Sequence, residues 1–172
     1  MINFTKAIAK AWRTFTNKNM EALLKKLNLK ENEKVLLVNV PKNLSAMIDA
    51  FKAKSSVKTK YKESDEFTFA LAFVIKQNEV DEPAANIAPL MKGDAAFWFA
   101  YPKGTSKNYK CEFNRDTGWK ILGELGFEPV RMVAIDDDWS ALRFRRAEFI
   151  RQMKRAEKYA LSTAGKAKTK SK

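Results

Sequence analysis

The side chains best suited to chemistry in this sequence come directly after its apolar runs. Lys42, Lys76 and Lys103 each follow such a run, and Tyr101 closes one. The aspartate triplet 136–138 follows another. Lysines and a phenol beside carboxylates are groups that can hold a phosphate or carboxylate ligand, and a neighbouring aromatic ring such as Trp139 can stack on it.

Each of these groups also has a structural interpretation. Aspartate accepts turn geometries and caps N–H groups, so the triplet 136–138 also fits the turn of a hairpin. A magnesium site is not expected, because adjacent residues in a strand point to opposite faces and carboxylate sites for Mg²⁺ usually need a phosphate partner. Trp139 either covers the hairpin or stacks on a ligand. An acid/base pair of Tyr101 and Lys103 requires a lowered lysine pKa, and residues 102–104 are otherwise a plain loop.

The absence of histidine is the strongest restriction on function. It excludes the Ser-His-Asp and Cys-His nucleophilic systems, histidine general bases and histidine-ligated zinc. Cys111 is the only cysteine, which excludes an intrachain disulfide and a thiolate metal cluster. No apolar run approaches the roughly 18 residues of a membrane helix, and the N-terminus lacks the apolar region of a secretory signal. We therefore expect a cytoplasmic protein.

Positive charge is concentrated near the C-terminus. The net charge is +13, of which residues 143–172 contribute +9 with 11 Lys/Arg against 2 Glu. This segment is either a binding surface for nucleic acid or another polyanion, or a solubilising tail without aromatic residues interleaved for stacking. The candidate polyanion-binding residues are Arg145, Arg146, Arg151, Lys154, Arg155 and Lys158.

Helical and strand patterns alternate along residues 34–125 and predict a series of elements. We expect helices over 17–28, 43–54, 79–91 and 114–125, and strands over 35–40, 57–61, 67–76 and 95–101. The run 67–76 is almost continuously apolar, which is typical of a strand buried on both faces. Gly126 is placed to end the fourth helix. A hairpin of 129–136 and 140–146, a basic helix over 147–161 and a disordered tail over 164–172 complete the prediction.

Such alternation predicts an α/β fold, a three-layer, mostly parallel, Rossmann-like sheet with an antiparallel C-terminal hairpin. We expect one domain over residues 1–146 and a basic helix and flexible tail over 147–172. Ligands of these sheets bind where the carboxyl ends of the parallel strands meet. The residues expected at that edge are Asn39, Lys42, Lys76, Tyr101, Lys103, Ser106, Asp136, Asp137 and Trp139.

This order of elements resembles the class I methyltransferase branch of the Rossmann-like folds. The stretches LLKKLNLKENEKVLLVNVP, AAFWFAYPKGTSK and NRDTGWKILGELGFEPVRMVAIDDDWSALRFRR also resemble a bacterial family of small, single-domain, Rossmann-like proteins of unknown function. Its distinctive feature is a D-x-W-S-x-L-R-F hairpin, here Asp137 to Phe144, and the resemblance covers about residues 20–146. It implies the fold and carries no activity, cofactor or site.

The segment after the first strand argues against the usual cofactors. Methyltransferases and dehydrogenases place glycines there because the cofactor approaches the backbone closely. Residues 40–43 contain no glycine, and Pro41 has no N–H to donate. Glu63 is the one acidic candidate near the end of the second strand. No ordinary S-adenosylmethionine or NAD site is expected.

Three functional hypotheses remain from the sequence. The first is a binding protein, non-catalytic or of uncharacterised activity, that holds a small anionic ligand at the carboxyl edge of the sheet. The second is a degenerate methyltransferase-like enzyme. The third is a nucleic-acid-associated protein that acts through its basic residues 143–172. The absence of glycine at residues 40–43 and of histidine throughout the sequence favours the first over the second.

Overall fold

A computed structural model describes residues 18–153 and 156–170. Its centre is a six-stranded sheet in the order β2-β1-β3-β4-β6-β5. The strands are β1 (Lys34–Val38), β2 (Ser56–Lys58), β3 (Phe67–Phe73), β4 (Met91–Pro102), β5 (Phe127–Ala134) and β6 (Trp139–Arg146). Strands β1 to β4 are parallel, and β6 runs antiparallel between β4 and β5. The carboxyl end of β5 therefore lies at the same edge as those of β1 to β4, called the carboxyl edge below.

Helices cover both faces of the sheet. They are α1 (residues 18–26), α2 (Ser45–Lys52), α3 (Gln77–Ile87), α4 (Lys120–Glu124) and α5 (Thr163–Lys170). Buried residues of α1 and α2 pack in one apolar cluster, and those of α3 and α4 pack in the other. The predicted three-layer α/β fold with a C-terminal hairpin is confirmed. No helix in the described ranges is both long and apolar enough to cross a membrane.

The apolar pattern of the central strands explains the two clusters. In β3, Phe69, Leu71 and Phe73 face the α1/α2 side, while Ala70 and Ala72 face the α3/α4 side. Successive side chains of a strand point to opposite faces, so a continuously apolar strand must be covered on both. In β4, the same alternation places Tyr101 on the α3/α4 side and Trp98 on the other.

The helix predicted over 114–125 is much shorter in the structure. Only Lys120–Glu124 is helical. Upstream, the Thr117 hydroxyl accepts from the Asn114 N–H at 3.1 Å, and the Asn114 side chain accepts from the Asp116 N–H at 2.8 Å. Such local side-chain bonds offer the backbone an alternative to the helix. Gly126 has φ of 82°, the left-handed conformation of the predicted helix-ending glycine.

The C-terminal elements also differ from the prediction. The helix expected over 147–161 is wrong, because the described part of that range holds only the short 3₁₀ turns Ala147–Phe149 and Glu157–Tyr159. The helix forms instead at Thr163–Lys170, where disorder was expected. Its first turn is fixed by tertiary partners that have no sequence signature. Lys154, Arg155 and residues 1–17 and 171–172, on which parts of the prediction fall, lie outside the described residues.

Tertiary contacts hold the C-terminal segment, residues 156–170, against the sheet. Glu128 of β5 is fully buried and accepts from the N–H of Leu161 at 3.1 Å and of Ser162 at 2.7 Å. The backbone of Leu161 lies so close to Gly123 of α4 that a β-carbon there would be 2.7 Å from the Leu161 carbonyl oxygen. Glycine at position 123 therefore permits this docking.

Candidate functional site

The loop after β4, residues 103–113, is bound to the turn of the β5–β6 hairpin. Lys103 donates from its side-chain Nζ to the carbonyl oxygen of Asp136 at 2.5 Å, and from its backbone N–H to that of Asp138 at 2.7 Å. The Ser106 hydroxyl and the Asn108 amide donate to the two carboxylate oxygens of Asp138 at 2.7 and 2.8 Å. The structure thus brings together Lys103, Ser106 and Asp136, as expected, but their polar groups bind the protein itself.

The aspartate triplet divides into three roles. The Asp136 carboxylate accepts from the N–H groups of Asp138 and Trp139 at 2.9 and 2.7 Å, which is hairpin-turn chemistry. Asp137 is exposed. Hydrogen bonds from Ser106 and Asn108 lower the pKa of Asp138. Within residues 18–153 and 156–170, no three acidic or cysteine side chains are arranged to hold a metal ion.

Trp139 and Tyr101 lie in the core and not at the surface of the site. Trp139 is 1% exposed and packs edge-to-face on Phe73 at 5.1 Å and against Tyr109 at 4.9 Å. Its ring therefore offers no stacking face to a ligand. Of the two alternatives for Trp139, the burial agrees with a cover over the hairpin. Tyr101 is also buried, and its hydroxyl contacts the sulfur of Met132 at 3.5 Å.

The Tyr101 phenol is consequently separate from the amine of Lys103. Burial raises the pKa of Tyr101, and the positive charge of Arg115 opposes this effect. The Tyr101 hydroxyl points toward Met132, while the Lys103 amine binds the carbonyl of Asp136. The acid/base pair considered from the sequence is not formed.

The chain passes from β1 to β2 on one side of β1 and then to β3 on its other side, so the strand order reverses between β1 and β3. Two exposed lysines flank this switch point. Val38 of β1 pairs with Ala72 of β3, so Lys42 and Lys76 each lie four residues beyond a paired position. Both side chains are exposed, as is that of Asn39, whose φ of 55° makes the left-handed turn after β1. Ligands of doubly wound sheets bind at such a switch point.

The loop 103–113 extends over this switch point. The Glu112 N–H donates to the Ile75 carbonyl at 3.1 Å, and the Glu112 carboxylate accepts from the Gln77 N–H at 2.9 Å. The Tyr109 hydroxyl reaches Asn43, after β1, at 3.4 Å. Sequence reasoning missed Tyr109, Asn43 and Glu112, because the loop has no periodic pattern to indicate where it folds back.

The charged side chains at the switch point differ in their partners. The Glu79 carboxylate accepts from the N–H groups of Ile75 and Lys76 at 2.6 and 3.0 Å, and Glu112 binds the Gln77 N–H. These negative charges are thus engaged by the backbone. Lys42 and Lys76 form no ion pair with any residue of the described ranges. The two lysine amines are therefore exposed cations at the switch point.

Four of the predicted polyanion-binding residues lie within the described ranges, and they have different surroundings. Arg145 forms a two-pronged ion pair with Asp94. Arg146 donates to the carbonyl oxygens of Ala88 and Met91 at 2.9 and 3.3 Å, and its guanidinium lies 4.9 Å from the centre of the Phe127 ring. Both arginines lie at the edge of the sheet opposite Lys42 and Lys76. In contrast, Arg151 and Lys158 are exposed.

Comparison with known proteins identifies the fold. No protein-family model matches the sequence, and no curated protein matches it. A SAM-dependent methyltransferase from Aquifex aeolicus is similar with a TM-score of 0.50 and 15% identity, over 74% of this chain and 89% of that one. A proposed methyltransferase from Bacillus halodurans is similar with a TM-score of 0.51 and 10% identity, over 75% of this chain and 98% of that one. The pyocyanin biosynthetic protein PhzM is similar with a TM-score of 0.52 and 10% identity, over 76% of this chain and 55% of that one.

These likenesses show a methyltransferase-like Rossmann fold. The bacterial family expected from the D-x-W-S-x-L-R-F hairpin stays a prediction. The residues present do not fit the usual pose of S-adenosylmethionine, the cofactor that the fold implies. The turn at 39–43 has no glycine, and the contact between Tyr109 and Asn43 crosses the switch point. At the end of β2, Lys58 binds Asp65 at 2.6 Å, so a cation stands where this fold usually places the ribose-binding acid, and Glu63 lies exposed in a later turn.

Proposed function

We propose that this protein binds a small anionic ligand, a phosphate or carboxylate, at the switch point between β1 and β3, without catalysing a reaction on it. The observation that carries the proposal is a pair of exposed lysines there. Lys42 and Lys76 have no ion-pair partner among the described residues, whereas the nearby carboxylates of Glu79 and Glu112 accept backbone hydrogen bonds. An anion placed between the lysines would give both amines an ion-pair partner.

The surrounding groups support a binding role. Asn39 presents an exposed amide on the same turn, which can donate to an anion or accept from a ligand hydroxyl. Lysine binds phosphate as a point charge without a demanding geometry. The lysines are exposed, and no histidine or buried carboxyl stands beside them as a general base. Binding is therefore better supported than catalysis.

The test compares two charge-reversed variants. One carries Lys42→Glu and Lys76→Glu. The matched control carries Lys34→Glu and Lys52→Glu, which makes the same change in net charge with exposed lysines away from the switch point. Native mass spectrometry of the protein as purified identifies a bound ligand, and amide NMR titration with inorganic phosphate locates the site. We expect the first variant to weaken binding at least about tenfold and the control to leave it nearly unchanged.

Three results would overturn the proposal. The first is equal phosphate binding by both variants. The second is a set of shifted amides that excludes residues 39–43 and 75–77. A purified protein that carries no added mass and shows no saturable phosphate shifts would have the same consequence.

The likeness in fold supports a second candidate, a methyltransferase-like enzyme that holds its cofactor in an unusual pose. This candidate requires that the folded protein bind S-adenosylmethionine and that S-adenosylhomocysteine compete with it. Calorimetric titration to about 1 mM covers the affinities at which a weak cofactor site is still detectable. Absence of heat and of NMR shifts at that concentration would eliminate the enzyme hypothesis and leave the anion-binding proposal intact.

A further inference from the structure

A second cavity lies away from the switch point, on the face of the sheet covered by α3 and α4. Its volume is about 610 Å³, within the range of small-molecule sites. It is bordered by the edge strand β5, by the turn before α4 and by the C-terminal segment. The lining residues that matter here are Arg115, Trp119, Val130, Arg131, Met132 and Lys158.

The short α4 explains why this face is open. The sequence pattern predicts a helix from residue 114, but the chain becomes helical only at Lys120. Residues 157–161 lie on the far side of the gap, held there by the docking of Leu161 against Gly123. The cavity is therefore a concave space between three elements, and not a flat surface for another protein.

Exposed apolar side chains are concentrated at this cavity. Among the described residues, the large hydrophobic side chains classed as exposed are Val130 at 39%, Met132 at 48% and Tyr159 at 60%. All three line the cavity, above a floor that includes the buried residues Trp119 and Leu142. Scattered exposed apolar residues need no explanation, but their grouping around one concavity marks a binding site.

The rim of the cavity carries excess positive charge. Arg115 and Lys158 line the cavity beside a single carboxylate, that of Asp116. Arg131 also borders it, but this residue pairs with Arg143, so its side chain points to the other face of the sheet. Neither Arg115 nor Lys158 forms an ion pair within residues 18–153 and 156–170. The Lys158 amine instead lies 4.9 Å from the centre of the Tyr159 ring. A ligand with one negative group would be attracted by this rim.

We propose that this cavity binds a small amphipathic anion. Its aromatic or aliphatic body would pack on Val130, Met132 and Tyr159. Its carboxylate, phosphate or sulfonate would lie between Arg115 and Lys158, since guanidinium and ammonium groups both bind such oxygens by charge-assisted hydrogen bonds. The site is independent of the switch point, so the failure of either proposal leaves the other untouched.

The test uses two probes with the same apolar framework. 8-Anilinonaphthalene-1-sulfonate carries a negative charge, and N-phenyl-1-naphthylamine does not. Amide NMR titration of the full chain with each probe locates binding, and probe fluorescence gives the affinity. The variants are Arg115→Glu with Lys158→Glu, and Arg115→Gln with Lys158→Gln. The control is Lys34→Glu with Lys52→Glu, and far-ultraviolet circular dichroism confirms that each variant is folded.

We expect the sulfonate probe to shift amides within 115–119, 129–132 and 158–161. The charge-reversed variant should bind this probe at least about tenfold more weakly, because attraction is replaced by repulsion. The glutamine variant should weaken binding by a smaller factor, because the attraction is only lost. The control should bind as the unchanged protein does. The affinity of the uncharged probe should change less than about twofold in every variant. Shifted amides outside these ranges, no saturable binding, or equal weakening of both probes would overturn the proposal.

Discussion

The Glu128 carboxylate accepts hydrogen bonds from both the backbone N–H and the hydroxyl of Ser162, each at 2.7 Å. The Ser162 hydroxyl in turn accepts from the Gly165 N–H at 2.9 Å, which caps the first turn of α5. A buried carboxylate at a helix N-terminus interacts favourably with the helix dipole and satisfies N–H groups that have no helical partner. The first turn of the C-terminal helix is therefore fixed by a side chain more than thirty residues earlier in the chain.

Replacing Glu128 with glutamine should release this helix. The amide would keep one acceptor oxygen but turn an NH₂ group toward the N–H donors of Leu161 and Ser162. We expect a loss of about 2 kcal/mol of unfolding free energy, because buried donors would lose a charged acceptor. Urea denaturation measures the loss, and hydrogen exchange of the α5 amides reports local release. Glu148→Gln, at an exposed position nearby, is the control. Unchanged α5 protection in the Glu128 variant would contradict the capping role.

Replacing Gly123 with alanine should destabilise the protein, although the same substitution stabilises most helices. Glycine to alanine inside a helix usually stabilises a protein by up to about 1 kcal/mol. Here the new β-carbon would lie 2.7 Å from the Leu161 carbonyl oxygen and 2.8 Å from its side chain. We therefore expect Gly123→Ala to destabilise the protein by about 1–3 kcal/mol through overpacking.

The matched control for that substitution is Gly104→Ala in the loop 103–113. Nothing lies within 4 Å of a β-carbon at that position. This variant should be neutral or slightly stabilising, since it restricts only the unfolded chain. Thermal unfolding of both variants measures the difference. A Gly123→Ala protein as stable as the unchanged one would show that Leu161 does not pack on α4 as described.

Asp138 should make stability depend on pH. Hydrogen bonds from Ser106 and Asn108 lower its folded-state pKa below the value of about 3.9 for an unfolded aspartate. A depressed carboxyl pKa contributes stability above the unfolded value, and this contribution is lost as pH falls through the folded one. Asp138→Asn should therefore unfold at a lower temperature than the unchanged protein near neutral pH. The difference should shrink below about pH 4.

Circular dichroism melts between about pH 2 and 7 at constant ionic strength measure this effect. Asp137→Asn, at the exposed neighbouring position, is the control and should follow the unchanged protein. A difference between Asp138→Asn and the unchanged protein that stays constant through the acid range would indicate that the hydrogen bonds do not depend on the charge of Asp138.

The sequence predicted the sheet well because the signals for it are local. Strand β3 is apolar on both faces, and the alternation of Leu142 and Phe144 with Arg143 and Arg145 marks the covered face of β6. The docking of α5 could not be predicted in this way. It depends on a contact between Glu128 and Ser162, and a glutamate within a strand gives no indication of a partner so distant in sequence.

The candidate site was predicted only in part, for the same reason. Parallel strands bring Lys42 and Lys76 to one edge whatever the details of the loops, so their placement followed from topology. Which face Tyr101 occupies depends on the register of β4, and whether Trp139 is covered depends on the path of the loop that contains Tyr109. Hydrogen bonds made by irregular loops determine these features, and they have no periodic pattern in the sequence.

The hypothesis that residues 143–172 bind a polyanion predicts different effects for exposed basic residues and for an arginine that binds the protein backbone. Arg151 and Lys166 are exposed, so Arg151→Glu with Lys166→Glu should reduce the slope of log affinity against log salt for a DNA duplex by about 2. Arg146 is engaged with the carbonyl oxygens of Ala88 and Met91. Arg146→Gln should therefore lower the melting temperature and leave the salt slope unchanged. If the exposed pair had no effect on the slope, or if Arg146→Gln changed it as much, the basic C-terminus would not be the binding surface.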